Sequence, residues 1–284
     1  MSSHDPIDIK TARFPLLGAL SGPGYNITPI RELTPEEQEG VKTHTKQAAK
    51  GREMFKLFKI TARNYEEWTK YTNSLLTPAP QLTADETVEL DRLMLNFLTA
   101  AKSVIDHFRM HYKQAFPDKE DAYDAYLARI EEHCWAHAFF QDFRNFVQHC
   151  GLPVSNYSRH TSKSTVTIDV SVDAGWLVDH YSKWGKSKLT RDHGKLDLLQ
   201  LTQDYYVRLT QDLGQFVATA FAPELEPAHR FFHQLALEVH QFKPNALPVV
   251  VTAFRDEGDQ LSVDYGHLPV NVFTEIGIRF SRPI

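Results

Sequence analysis

The stretch "TADETVELDRLMLNFLTAAKSVIDHF", residues 83–108, decides the fold class. Thr83 followed by Glu86 forms a capping box, in which the hydroxyl accepts from the N3 amide while the N3 carboxylate reaches back to the cap amide. Beyond it, Leu90, Leu93, Phe97, Ala101, Val104, Ile105 and Phe108 recur at helical spacing, which predicts one long amphipathic helix to about Phe116. Such a helix has to bury its apolar stripe against other elements, and that predicts a helical bundle.

The flanks extend the pattern. Upstream, "TPEE" supplies Thr34 as cap, Pro35 at the first helical position and Glu37 at N3, predicting a helix to about Asn73 that packs through Phe55, Phe58, Tyr65 and Trp68. "TPAPQL" ends it. Downstream, "FPDKED" breaks the chain before a third helical stretch over about 120–150, read as two helices with a bend. After Pro153 the period changes from helical to alternating: Val166, Ile168, Val170 and Val172 predict a half-buried strand. Helical spacing returns over about Lys195–Phe221 and in "AHRFFHQLALEVHQF". Finally "LPVVVTAF" and "QLSVDY" flank "RDEGD" as a β-hairpin. The expected fold class is mainly α, a helical bundle with a strand insertion and a small β-rich C-terminal part. Residues 1–33, with "SGPGYNITPIREL", read as an irregular arm, 34–242 as the helical domain with its β insertion near 160–182, and 243–284 as the β-rich tail.

Composition narrows the function classes. At 284 residues, with 42% hydrophobic and 24% charged residues, the chain has the makings of a real core. A formal net charge of -5 gives no global basic field, so any nucleic-acid contact requires a local patch. Two cysteines, Cys134 and Cys150, without CxxC spacing argue against a disulfide scaffold and predict a reducing, cytoplasmic setting. The N-terminus lacks an apolar leader and no run approaches roughly 18 apolar residues, so no membrane association is expected. No G-x-S-x-G elbow, phosphate loop or dinucleotide fingerprint is present; neither ATP nor NAD is expected, and no other cofactor.

The chemistry concentrates in "FQDFRNFVQHCGLPV", residues 140–154. An aromatic helix carries Arg144, Asn145 and His149, then meets Gly151 and Pro153. Gly151 is expected in the left-handed position just past the helix. The partial negative charge of a helix C-terminus favours an imidazolium at His149, and a histidine near neutrality suits proton transfer. Asn145 and His149 share a face, whereas Arg144 lies about 140° around from His149. A guanidinium binds phosphate bidentately and an amide orients a phosphate oxygen, so the set suits a pentavalent phosphorus transition state: Arg144 for charge, Asn145 for orientation, His149 for the proton. The competing reading is a solvated helix end. Attack by an RNA 2′-hydroxyl needs both a base and an acid, and a two-fold dimer would supply two copies of each group without a metal.

"RNFVQH" resembles the Arg-polar-x3-His signature of the HEPN superfamily, and the resemblance covers roughly residues 83–153. It implies an all-helical bundle whose motif lies on a late helix, with an active site formed between two protomers. It also implies a metal-independent endoribonuclease cleaving RNA through 2′-hydroxyl attack, with Arg144, Asn145 and His149 as catalytic residues. A role in antiviral defence or toxin–antitoxin function, with an antitoxin or defence-system partner, comes from the resemblance alone. The alternative is a non-catalytic helical interaction module that binds protein or nucleic acid.

Candidate RNA contacts are Arg159 and Lys163 in "SRHTSKS" and Lys186, Lys188 and Arg191 in "KWGKSKLTRDHGK", beside Tyr181 and Trp184 as stacking groups. Solvated loops are the plainer reading. Three histidine pairs at i,i+4 spacing, His107/His111, His133/His137 and His229/His233, lack a complete metal motif, so no metal site is expected.

Overall fold

The computed structural model describes residues 12–22, 26–79, 81–154, 156–256 and 261–275. It is mainly helical with two small antiparallel sheets. Two compact units emerge, one from Met1–Glu53 with Ala218–Ile284, the other from Met54–Val217.

In the first unit, β1 (Leu16–Ser21) pairs antiparallel with β2 (Asn26–Glu32) and, on its other side, with β6 (Leu247–Asp256), which pairs with β7 (Leu261–His267). Leu16, Leu20, Val249 and Val251 form a core cluster on this sheet, joined by Phe14, Ile27, Val263 and Tyr265. Helix α7 (Ala222–Phe242) packs on β1 and β6, and α8 (Val270–Glu275) packs on α7. Arg31 fastens the start of α1 (Pro35–Ser74) to α7, donating to Glu37 at 2.6 Å and to Glu238 at 2.6 and 2.8 Å. Its guanidinium holds Glu37 below the usual carboxylate range.

The sheet corrects two expectations. The arm over 1–33 is not irregular where described: it supplies two strands. The 243–284 segment is not a separate tail, because β6 completes its sheet with β1 from the other end of the chain. The helical domain expected over 34–242 is likewise divided, since α7 belongs to the first unit.

The second unit holds the rest of α1, then α2 (Ala84–Ala115), α3 (Glu120–His133), α4 (Trp135–His149), α5 (Ala174–His180) and α6 (Leu198–Phe216). Both capping boxes form as expected. Glu37 N donates to Thr34 Oγ1 at 3.2 Å, Glu86 N donates to Thr83 Oγ1 at 3.2 Å, and each carboxylate accepts from its cap amide. The predicted bend lies at Cys134, between α3 and α4. A three-stranded sheet of order β3 (Asn156–Thr161), β4 (Val166–Asp173) and β5 (Lys195–Asp197) is the strand insertion, wider than its expected bounds of 160–182.

Helix α4 is central, packing on α2, α3 and α6. Nine of its residues are buried, including Phe139, Phe140, Phe143 and Phe146. The rings of Phe139 and Phe143 stack at 4.9 Å, Phe140 stacks on Tyr205 of α6 at 5.0 Å and Phe97 of α2 meets Phe140 edge-on at 6.4 Å. Fully burying each such ring stabilises the unit by roughly 2–3 kcal/mol. Among the described residues, no helix is long and apolar enough to cross a membrane.

Candidate functional site

Burial along α4 switches abruptly after Phe143. Arg144 and Asn145 are half-buried, Phe146 is buried, and Gln148, His149 and Cys150 are exposed. Cys150 N donates to the Phe146 carbonyl at 2.8 Å, closing the last turn. Gly151 does not adopt the expected left-handed conformation. The chain instead leaves toward β3: Val154 N donates to Asp91 of α2 at 3.3 Å, and a Cβ at Gly151 would stand 3.4 Å from Trp176 Cη2 of α5.

Helical spacing divides the motif between two stripes. Asp142, Phe146 and His149 are separated by four and three residues, with Asn145 beside them. The segment 181–187 covers the first part of this stripe. Asp142, buried, accepts on Oδ2 from Lys186 N at 3.0 Å and from Ser187 N and Oγ at 2.9 Å each. Phe146 meets Trp176 at 5.5 Å, Tyr181 at 6.1 Å and Trp184 at 6.0 Å. Arg144 falls on the other stripe, seven residues after His137 and three after Gln141, both of which meet Tyr205. Its Nε is buried and has no hydrogen-bond partner.

The expected RNA contacts fare unevenly. Arg159, on β3, is 7% exposed; it donates to Glu86 at 3.0 Å and to the Gln81 carbonyl at 3.2 Å, so it is an internal tie between β3 and the start of α2 and not a surface contact. Lys186 pairs with Glu131, and Arg191 pairs with Asp179. Lys163 and Lys188 are exposed. Trp184 is only 6% exposed, packed against Phe139 and Phe146, with its Nε1 donating to the Tyr181 carbonyl at 2.6 Å; it is core, and no base can stack on it.

The histidine pairs separate by burial. His137 is fully enclosed and His229 nearly so, whereas His133 and His107 are exposed. Burial holds the imidazole of His137 down to about 4, helped by Lys186 and Lys102. Among the described residues, no group of three or more His, Cys, Asp or Glu side chains is placed to hold a metal. The groove of about 380 Å³ between α1, β4 and α6, lined by Tyr65, Trp68, Ile168 and Leu199 among others, contains none of the motif residues.

Sequence reading missed one functional candidate, His180, the last residue of α5. It is exposed, its ring lies tilted against Trp176 at 4.5 Å, and its Nδ1 lies 2.8 Å from the Trp176 carbonyl. The signal was absent from local pattern because the residue approaches α4 only through Trp176. Comparison with known proteins gives no match: no protein-family model, no curated protein and no solved structure resembles this chain.

Proposed function

We propose that this chain is a metal-independent endoribonuclease of HEPN type, cleaving RNA through 2′-hydroxyl attack at a site completed by a second copy of the chain. The observation that carries the reading is the end of α4. There an exposed His149 and a half-buried Asn145 share a stripe, while one turn back Arg144 holds a buried donor without an acceptor. Because that Nε is itself buried, a phosphate oxygen would be met by the terminal nitrogens of this half-buried side chain. The two stripes explain the need for a mate: Arg144 of one copy would clamp the phosphate near His149 of the other, as a two-fold axis permits. Cleavage would leave a 2′,3′-cyclic phosphate and a 5′-hydroxyl. The setting in antiviral defence or toxin–antitoxin function belongs to the same proposal. His149→Ala is expected to lower cleavage of single-stranded RNA by about 10²–10⁴-fold, the usual contribution of a proton-transfer group, with the fold intact by circular dichroism.

The second reading is a non-catalytic helical interaction module. It is favoured by the internal ion pairs of Arg159, Lys186, Arg191 and Lys195, which occupy much of the basic surface that RNA would use. Unchanged RNA on prolonged incubation, together with a stable self-association, would select it.

A further inference from the structure

One imidazole moves one proton, and in-line attack on a phosphodiester requires two transfers on opposite sides of phosphorus. The corner between α4 and α5 holds a second imidazole within the same subunit. Trp176 joins the two helix ends. Its ring is 5.5 Å from that of Phe146, three residues before His149, and its Cη2 is 3.4 Å from the place of a Gly151 Cβ, two residues after His149. The His180 ring lies tilted against the same indole, 4.5 Å between centroids. Both histidines are exposed, while the indole between their helix ends is half-buried and fixed against Phe146.

The tautomer of His180 is settled by its partner. A carbonyl only accepts, so Nδ1, 2.8 Å from the Trp176 oxygen, carries the hydrogen and donates it. Nε2 is then left with the lone pair, directed away from the helix. The other ionisable groups at this corner include Asp173, which caps α5 by accepting from Trp176 N at 2.7 Å; Asp142, bound to the 186–187 amides; Asp179, paired with Arg191; Cys150; and Tyr181. Burial first, then Asp142 and Cys150, hold the Tyr181 phenol above its ordinary value, so it remains a neutral donor.

We infer that His180 is the catalytic base that partners His149 in the same subunit, leaving a facing copy to contribute Arg144. The inference rests on the phosphodiester reading and assigns its second proton-transfer group. His180 Nε2 takes the proton of the 2′-hydroxyl as O2′ bonds to phosphorus. The P–O5′ bond breaks, and protonated His149 delivers its proton to O5′. The products are a 2′,3′-cyclic phosphate and a 5′-hydroxyl, with no oxidant, reductant or further reactant.

The test combines two readouts on the intact chain. Ring-nitrogen NMR is followed while a 2′-deoxy dinucleotide, which cannot be cleaved, is added; cleavage of single-stranded RNA is then compared for the wild type, His149→Ala, His180→Ala and His180→Asn. The asparagine amide retains a donor for the Trp176 carbonyl but cannot act as a base. The expected result is that both imidazoles respond at the same half-saturation. Each His180 variant should lose about 100-fold or more in kcat, together with the low-pH limb of the rate profile. Full activity in His180→Asn, with activity abolished in His149→Ala, overturns the inference and leaves the ribonuclease reading standing. No cleavage by the wild type and no response from either ring overturns both.

Discussion

The two ends of α4 carry the same side chain in opposite circumstances. His137, near the start, is fully enclosed, its ring 5.4 Å from that of Tyr205, with Lys186 and Lys102 as the charges that act on it. His149, at the end, is exposed. Twelve residues of one helix separate a histidine held neutral by burial from one that stands in solvent. Helical periodicity alone does not tell them apart; the neighbouring elements do. The first half of α4 meets α2, α3 and α6, while the last turn emerges beside α5. Substitutions in the first half should therefore change stability, and those in the last turn should change activity.

The largest stability effect is expected at Phe143. It is fully buried between Phe139, Phe140 and Phe146, and Phe143→Ala should cost about 3–5 kcal/mol in denaturant unfolding, transfer and cavity contributions together. A loss below 1 kcal/mol would mean that α4 is not the centre of its unit.

His137 comes next and is read through pH. Its ordinary value is 6.5 and the folded chain lowers it to about 4. Above pH 6.5 the ring is neutral in both states and imposes no penalty. As pH falls from 6.5 toward 4, the unfolded chain takes up a proton that the folded chain refuses, so stability is lost over that window, by about 3 kcal/mol in total. Melting temperatures of wild type and His137→Leu should diverge below pH 6.5, with the variant declining less steeply. Parallel profiles would contradict the enclosed, neutral ring.

Asp142 marks the boundary between the two halves. Asp142→Ala removes the acceptor for two backbone amides and the Ser187 hydroxyl and should cost roughly 2 kcal/mol. The 181–187 segment should then exchange amide hydrogens faster, which mass spectrometry can follow. The smallest effect belongs to the exposed end: His149→Ala should shift unfolding by under about 0.5 kcal/mol. A larger loss would make that histidine structural and merge the two halves.

Local sequence rules carried much of the fold. The capping boxes at Thr34/Glu37 and Thr83/Glu86, the bend near Cys134, the alternation over Val166–Val172 and the hairpin of β6 and β7 all depend on residues within a few positions of one another. What failed depends on distant partners. Residues 16–21 form a strand held between β2 and β6, and the second of these edges comes some 230 residues later. Arg159 looked like a surface cation because its counter-ion, Glu86, lies 73 positions away. Trp184 looked available for stacking because nothing nearby announces that Phe139 and Phe146 bury it. At the candidate site, the helical placement of Arg144, Asn145 and His149 and their division around α4 were legible from spacing. Spacing could not reveal the covering segment or His180, since both reach α4 through tertiary contacts.

The measurement that bears most directly on the account is end analysis of single-stranded RNA incubated in EDTA with the purified chain and with His149→Ala. The parent is expected to yield fragments ending in 2′,3′-cyclic phosphate and 5′-hydroxyl, and the variant to form them at least about 100-fold more slowly. Equal cleavage by both proteins, or none by the parent, would contradict the ribonuclease reading.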